Sequence, residues 1–246
     1  MLFEGIRLRG NNIVFDFQND LETDVIPLRF QKFNKSLSTR NGIKVYFGYR
    51  YQEGVNKDEL VQVRDAIKTL DYSRLDKGSL QLMIQKAVNN FLQVSDQDFD
   101  LIITPKSSSG LPNLIAQTFK QKLGQNVLLA NDSIVKSDIG DIKIDPVKAK
   151  KLSPEQRQNI EKVIHSASKS GSFKMKQIPI PMRRIIIDFM KFDSELDRKI
   201  FNALNNGRVL LIDDIYTGGS TFTEMTRIIQ VSNPENITGF ILLLSQ

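Results

Sequence analysis

Length, composition and charge exclude several classes of protein before any motif is considered. The chain has 246 residues, of which 40% are hydrophobic and 25% charged, enough for one substantial domain or two small ones. No apolar run approaches the ~18 residues of a membrane span, and the first residues lack the pattern of a signal peptide, so we expect a cytoplasmic protein without membrane contact. The absence of Cys and the single His exclude disulfides, thiol nucleophiles, and zinc sites built on Cys or on His pairs.

The net charge favours a polyanionic partner. Lys and Arg number 34 against 28 Asp and Glu, which gives a net charge of +6. Nucleic acid and phosphorylated metabolites both suit such a charge. The basic residues are scattered along the chain, so charge alone does not choose between these partners.

The first part of the chain has the pattern of strands followed by two helices. Alternating apolar residues predict strands at 2–8, 13–17 and 43–51. Amphipathic helices are expected at 57–70 and 79–94. We therefore expect residues 1–55 to form an N-terminal β-rich subdomain, a candidate hood over a ligand, beside an α/β core over 56–246.

Beyond residue 98, buried strands alternate with helices. The strands are predicted at 101–104, 127–130, 184–189, 209–213 and 237–244. The helices between them are predicted at 111–123, after Ser194, and at 220–231. A polar stretch over 131–182 interrupts this order and holds one helix that starts near Ser153, which we interpret as a helical insertion. The pattern predicts an α/β fold with a mainly parallel sheet flanked by helices.

The segment 209–221, with the sequence VLLIDDIYTGGST, carries the most specific chemical signal. Its apolar run predicts a buried strand that ends on Asp213 and Asp214 at the carboxyl edge of the sheet, where open α/β folds bind ligands. Gly218 and Gly219 let the backbone approach a ligand, and the N–H groups that start the next helix favour an anion. Carboxylates accept hydrogen bonds from vicinal ribose hydroxyls. We therefore predict a ribose 5-phosphate group as the ligand.

This segment resembles the phosphoribosyl pyrophosphate (PRPP) signature of type I phosphoribosyltransferases. The resemblance implies a type I phosphoribosyltransferase-like, Rossmann-like fold and transfer of the 5-phosphoribosyl group from PRPP. It also implies that Asp213 and Asp214 contact the ribose hydroxyls and take part in catalysis. The 5-phosphate would then lie in the loop formed by Tyr216, Thr217, Gly218, Gly219, Ser220 and Thr221.

A second strand ends in a similar loop. Residues 100–110, with the sequence DLIITPKSSSG, place a cation and three hydroxyls before a helix, which is the chemistry of an anion site. Taken alone, such a loop is as often an ordinary helix cap. The resemblance places it where the family binds pyrophosphate, which would contact Lys106, Ser107, Ser108, Ser109 and Gly110.

The insertion is where the resemblance places a mobile loop that brings a basic residue over the reacting centre. Lys136 is the first candidate for that catalytic role, ahead of Arg183 and Arg184, although each is also consistent with a solvated surface charge. Residues 151–159 resemble a Leu-Ser-x-x-x-Arg-x-x-Asn stretch of the competence-protein-F-like branch, but this chain lacks the Cys residues of that branch's zinc module. His165 is more consistent with an ordinary helix position than with catalysis.

The acceptor is not identified by the sequence. Ile215 and Tyr216 stand where purine-salvage members of the family often carry an acidic residue, which disfavours a hypoxanthine-guanine enzyme. An aromatic cluster could stack on an acceptor ring, although packing in the sheet is the more common role for such residues. Its members are Tyr46, Phe47, Tyr49 and Tyr51.

The implied reaction displaces pyrophosphate from C1 of PRPP by a nitrogen nucleophile, a nucleobase or a related base. Mg²⁺ is the expected cofactor, held mainly by PRPP oxygens, with Asp213 or Asp214 as the protein groups that could contact it. The resemblance is also compatible with a homodimer. One alternative is a PRPP-sensing regulator that binds nucleic acid without catalysis. Another is a ribose-phosphate hydrolase or other transferase that uses the same loops.

Overall fold

The computed structural model describes residues 6–15, 43–50, 56–95, 97–170, 173, 175–183, 185–216 and 219–244. The strands in this part of the chain are β1 Ile6–Arg9, β2 Asn12–Phe15, β3 Lys44–Arg50, β4 Leu101–Pro105, β5 Leu128–Lys136, β6 Lys143–Ile144, β7 Ile186–Ile187, β8 Met190–Phe192, β9 Arg208–Tyr216 and β10 Asn236–Leu244. The α-helices are α1 Lys57–Thr69, α2 Lys77–Ser95, α3 Leu111–Leu123, α4 Pro146–Ala149, α5 Pro154–Ser170, α6 Ile180–Arg183, α7 Arg198–Leu204 and α8 Ser220–Gln230.

A six-stranded sheet in the order β3-β10-β9-β4-β5-β8 forms the centre of the fold. The first five strands in this order run parallel, and β8 at the edge runs antiparallel to β5. Helices pack on both faces. The prediction of an α/β fold with a mainly parallel sheet flanked by helices is confirmed.

Alternate residues of the central strands pack into two separate cores. Ile102, Leu210 and Phe240 face a cluster that includes buried residues of α1, α2 and α3. Their neighbours Leu101 and Leu211 face a second cluster with buried residues of α5 and α8. Because both faces of each central strand are buried, the strands appear in the sequence as continuous apolar runs rather than as alternating ones.

The strand β3 belongs to the central sheet, which corrects the expected division of the chain after residue 55. It pairs with β10 along its length, and its residues enter both cores, with Val45 and Phe47 in one and Tyr46 and Tyr49 in the other. The alternation in this stretch is therefore not the mark of a half-exposed sheet, because residues 45–49 are all buried.

The N-terminal hairpin of β1 and β2 docks on the turn between α1 and α2. The Ile13 N–H donates to the Arg74 carbonyl at 2.9 Å, and the Arg74 Nε donates back to the Asn11 carbonyl at 2.8 Å. Ile6 and Phe15 are buried in the same core as α2. The predicted hairpin is thus present, while the segments 16–42 and 51–55 that would complete a hood lie outside the described residues.

The structure shifts two element boundaries around the insertion. β5 continues to Lys136 instead of ending at residue 130, because its second half pairs with β8. The strand expected at 184–189 is divided: β7 pairs with β6, and β8 pairs with β5. Between the two short strands, Asp188 adopts a left-handed conformation with a φ of +58°.

An ion pair joins β4 and β9 at the amino edge of the sheet. The Arg208 guanidinium donates to both oxygens of Asp100, at 3.1 and 3.0 Å, and the Arg208 backbone N–H donates to the same carboxylate at 2.9 Å. These hydrogen bonds hold the pKa of Asp100 below its usual value. This ion pair joins the starts of β4 and β9 at the edge of the sheet opposite the predicted site.

Candidate functional site

The two loops that the sequence predicts for anions follow adjacent strands. β4 leads through α3 to β5 on one side, whereas β9 leads through α8 to β10 on the other. The strand order therefore reverses between β4 and β9, which makes this the topological switch point where open α/β sheets bind ligands. Their pairing ends at Ile103 and Leu211, while β9 continues beside β10 as far as Tyr216. The pairing of β4 with β9 thus stops before the carboxyl ends of the two strands, and the region between these ends is called the crevice below.

Asp213 and Asp214 lie on the part of β9 beyond its last pairing with β4. Their exposed fractions are only 8% and 5%. One oxygen of each accepts a hydrogen bond from the next backbone N–H, at 2.9 Å from Asp214 and 2.7 Å from Ile215. Each side chain is thereby oriented by the strand itself.

Burial raises the pKa of both carboxyls, and the negative charge of Asp214 raises the pKa of Asp213 further. Two adjacent carboxyls that are both removed from water repel each other when ionised. Ionisation of the pair therefore destabilises the folded state at neutral pH. Residues whose role is only to stabilise the fold do not have this effect. Such strongly perturbed pairs are typical of functional sites.

Lys68, in the last turn of α1, is a basic residue near this pair that sequence reasoning missed. Its positive charge lowers the pKa of both carboxyls, in opposition to the larger effect of burial. The helix reaches this position because α1 packs against β9. No local signal points to Lys68, since it follows an ordinary amphipathic helix pattern far from the motif.

The loop after β9 ends on Gly219, which adopts a left-handed conformation with φ +68° and caps α8. A Cβ at this position would lie 2.3 Å from the hydroxyl oxygen of Tyr216, so the tyrosine ring packs directly under the turn. Ser220 and Thr221 start the helix and are half-buried. Thr217 and Gly218, which were predicted to complete the phosphate loop, lie outside the described residues.

The loop after β4 also ends on a left-handed glycine. Gly110 caps α3 with φ +68° and ψ 3°, against φ +68° and ψ 4° at Gly219. Both helices therefore begin at a left-handed glycine, and the N–H groups at the start of a helix favour an anion.

Hydroxyls organise the loop between β4 and α3. The Ser107 and Ser109 hydroxyls lie 3.1 Å apart, and the Ser109 hydroxyl accepts the Leu111 N–H at 3.2 Å. Lys106 and Ser108 are exposed, so their donor groups remain accessible to solvent. The five predicted residues of this loop thus lie together at the carboxyl edge.

The other basic candidates lie on three different parts of the fold. Lys136 is the exposed last residue of β5, one strand beyond β4 at the same edge of the sheet. The Arg183 Nε donates to the Ile178 carbonyl at 2.8 Å within the insertion, and Arg184 lies outside the described residues. His165 is exposed on α5 and lines a shallow surface groove with Ile142 and Glu161.

The aromatic residues of β3 are core residues, which excludes the stacking role for three of them. The Tyr46 ring packs edge-on against Phe91 at 5.0 Å. The Tyr49 hydroxyl donates to the Met83 carbonyl at 3.0 Å, and its ring is almost fully buried. Phe47 packs edge-on against Tyr216 at 5.7 Å. Tyr51, the fourth predicted member, lies outside the described residues.

The donor set at the crevice fits a divalent cation that takes most of its ligands from a bound substrate. Across the described residues, no group of three or more His, Asp or Glu side chains could hold a metal ion by itself. Asp213 and Asp214 supply two carboxylates, and Mg²⁺ commonly uses one or two carboxylates together with substrate phosphates and waters.

Comparison with known proteins adds no assignment to these observations. Neither the family models nor the curated proteins include a match to this chain. No helix in the described ranges is long and apolar enough to cross a membrane.

Proposed function

We propose that the protein is a phosphoribosyltransferase that binds PRPP between the two glycine-capped loops and transfers the 5-phosphoribosyl group to a nitrogen base. The observation that carries the proposal is the pairing of these loops on adjacent strands at the switch point, with a buried acid pair between them. One anion loop is common in α/β proteins. Two loops that each end on a left-handed glycine at the start of a helix suit a ligand with a phosphate at one end and a diphosphate at the other.

In this proposal each part of the crevice has one task. Asp213 and Asp214 accept hydrogen bonds from the ribose hydroxyls, and residues 216–221 hold the 5-phosphate. Residues 106–110 hold the pyrophosphate, with Lys106 opposing its negative charge. Mg²⁺ bound to substrate oxygens, with Asp213 or Asp214 as protein ligand, supplies further charge neutralisation.

The chemical step breaks the bond between C1 and the pyrophosphate oxygen and forms a bond between C1 and the acceptor nitrogen. The electron pair of the broken bond leaves with pyrophosphate, and the acceptor nitrogen loses its proton to solvent or base. The protein contributes by aligning the two reactants and stabilising the departing charge. Lys136, at the same edge, is the basic residue we propose to approach the leaving group.

The test is titration calorimetry with PRPP and Mg²⁺, together with a screen for pyrophosphate release across nucleobases. We expect binding by the wild type and its loss in Asp213→Asn/Asp214→Asn. The matched control is Asp98→Asn/Asp100→Asn, which removes the same charge at the amino edge and leaves binding intact.

The outcomes separate the candidate functions. Pyrophosphate release with one base establishes the transferase and identifies its acceptor. Release without any base indicates a hydrolase. Binding without release for any acceptor indicates a PRPP-sensing protein, which a nucleic-acid binding assay would then examine. The absence of PRPP binding by the wild type contradicts the proposal.

A further inference from the structure

The pairing of β4 with β5 is irregular near the carboxyl edge of the sheet. Their register shifts between Ile103 and Pro105. At the same level of β5, Asp132 adopts a left-handed backbone conformation with φ +54°. Residues other than glycine rarely occupy this region, and they remain there only where the surroundings hold them. Asp132 is therefore held in place by its contacts.

A closed ring of three hydrogen bonds supplies those contacts. The Thr104 hydroxyl donates to Asn113 Oδ1 at 2.6 Å, and Asn113 Nδ2 donates to Asp132 Oδ2 at 2.8 Å. The Asp132 backbone N–H completes the ring by donating to the Thr104 hydroxyl oxygen at 3.0 Å. The ring joins the end of β4, the first turn of α3 and the irregular part of β5.

The ring encloses the two ends of one loop. Thr104 lies just before residues 106–110, and Asn113 lies just after them. The Lys106 N–H adds a bond to the Ile134 carbonyl at 2.8 Å. The loop that carries the lysine and the three serines is thus fixed to β5 at its start and tied to Asp132 at its end.

The second oxygen of Asp132 suggests that stability alone does not explain this residue. Asp132 Oδ1 is buried and has no hydrogen-bond partner among the described residues. A buried polar atom without a partner destabilises a fold. The carboxylate of Asp132 therefore lowers the stability of the fold. A role in positioning the neighbouring loop would account for its presence.

We propose that Asp132, acting through Asn113 and Thr104, is a positioning residue that holds residues 106–110 in their anion-binding conformation. This inference rests on the proposed function, which assigns pyrophosphate to this loop and the 5-phosphate to the loop after β9. Because the ring touches one loop and not the other, its loss weakens one half of the ligand site selectively.

The experiment measures two affinities by calorimetry, for inorganic pyrophosphate and for ribose 5-phosphate, both with Mg²⁺. Asn113→Ala removes two bonds of the ring at a helical position where Ala is favoured. We expect its affinity for pyrophosphate to fall about tenfold, as for other residues that orient a binding group, with the affinity for ribose 5-phosphate unchanged. Asp132→Ala is expected to act in the same way.

Two further variants make the result specific. Asp132→Asn keeps an acceptor oxygen for Asn113 and tolerates the left-handed backbone, so it restores most of the pyrophosphate affinity. Thr118→Ala removes a hydroxyl of the same helix that donates to the Leu114 carbonyl, outside the ring, and leaves both affinities as in the wild type.

Each other outcome contradicts the inference. Unchanged affinity for pyrophosphate in Asn113→Ala and Asp132→Ala shows that the ring does not position the loop. An equal loss of both affinities, together with a lower Tm, shows that the ring is a general structural element. If the wild type binds neither probe, the proposed function itself fails, and the inference fails with it.

Discussion

The carboxylates at the two ends of β4 and β9 lie in opposite electrostatic environments. At the amino edge, Asp100 is paired with Arg208 in a three-bond contact that lowers its pKa. At the carboxyl edge, Asp213 and Asp214 lie side by side and buried, and their pKa values are raised. The first arrangement favours the folded chain at neutral pH, and the second opposes it.

This contrast indicates which end of the sheet is less stable because it forms a ligand-binding site. A charge that stabilises a fold finds a partner of opposite sign, as Asp100 does. A charge kept unpaired in a buried position is retained when a ligand supplies the missing partners. The carboxyl edge is therefore the end of the sheet at which we expect substitutions to separate binding from stability.

The largest effect is expected for Asp213→Asn/Asp214→Asn. Each lost carboxylate removes charge-assisted hydrogen bonds of about 1.5 to 3 kcal/mol to the ribose, so PRPP affinity should fall at least roughly a hundredfold. The free energy of unfolding should rise at pH 7 by about 1 to 2 kcal/mol, because the buried charges that opposed folding are gone. Calorimetry and thermal unfolding measure the two effects.

The pH dependence of this gain has a defined sign. For a carboxyl whose pKa is raised on folding, ionisation destabilises the folded state as pH rises from the unfolded value through the folded one. The gain from the double substitution should therefore vanish below about pH 4 and grow toward neutral pH. A gain that is constant with pH would contradict the raised pKa values.

Gly219→Ala is expected to damage the carboxyl edge more than its counterpart at the other loop. Both Gly219 and Gly110 have φ +68°, so Ala causes backbone strain of about 1 to 2 kcal/mol at either position. At Gly219 the added Cβ also collides with Tyr216, whereas nothing lies within 4 Å of it at Gly110. We expect Gly219→Ala to lower both stability and ribose 5-phosphate affinity, the latter about tenfold.

Gly110→Ala is the matched control for that prediction. It should reduce stability less and leave ribose 5-phosphate affinity unchanged. Thermal unfolding and calorimetry of both variants test the difference. Equal effects of the two substitutions on stability would show that the contact with Tyr216 does not contribute to the destabilisation.

Asp100→Asn tests the amino edge. The paired carboxylate has a lowered pKa, so its contribution is present above the unfolded pKa and is lost as pH falls through the folded value. Because the pair is partly exposed, the expected decrease in Tm at pH 7 is only about 2 °C. PRPP affinity should not change. A substantial loss of binding would remove the distinction between the two edges.

The smallest effect is expected for Lys68→Gln. Its charge counteracts the effect of burial on both carboxyls, so its removal should weaken PRPP binding about two- to threefold, as for an exposed charge. Lys57→Gln, at the other end of the same helix, is the control and should leave binding unchanged. Calorimetry at low and high salt tests the electrostatic origin, since screening should reduce the difference.

Much of the local structure was predictable because it is encoded in neighbouring residues. The apolar run before Asp213 predicts a buried strand wherever it pairs, and left-handed turns before two helices require Gly110 and Gly219 regardless of the rest of the chain. The two anion loops and the acid pair could therefore be recognised as candidate site elements. The helices after residues 56 and 153 were also predicted from their caps.

The sequence-based predictions failed where contacts with a distant segment of the chain determine the structure. The alternation in β3 fits a half-exposed strand, but its pairing with β10 and its packing into both cores make it a buried edge strand. The apolar stretch expected as one strand over 184–189 is divided because β6 pairs with residues 186–187, whereas β5 pairs with residues 190–192. Tyr46 and Tyr49 become core residues because α2 packs over them.

The sequence by itself determined the central strands β4, β9 and β10, the long helices, the two glycine turns and the positions of the carboxylates, since each follows from residues close together in the chain. Only the tertiary structure decided that β4 and β9 are neighbours, that Lys68 lies near the acid pair, and that Thr104, Asn113 and Asp132 form one ring. These contacts join segments far apart in the chain. They depend on crossover direction and on the simultaneous burial of both sheet faces, which no local pattern encodes.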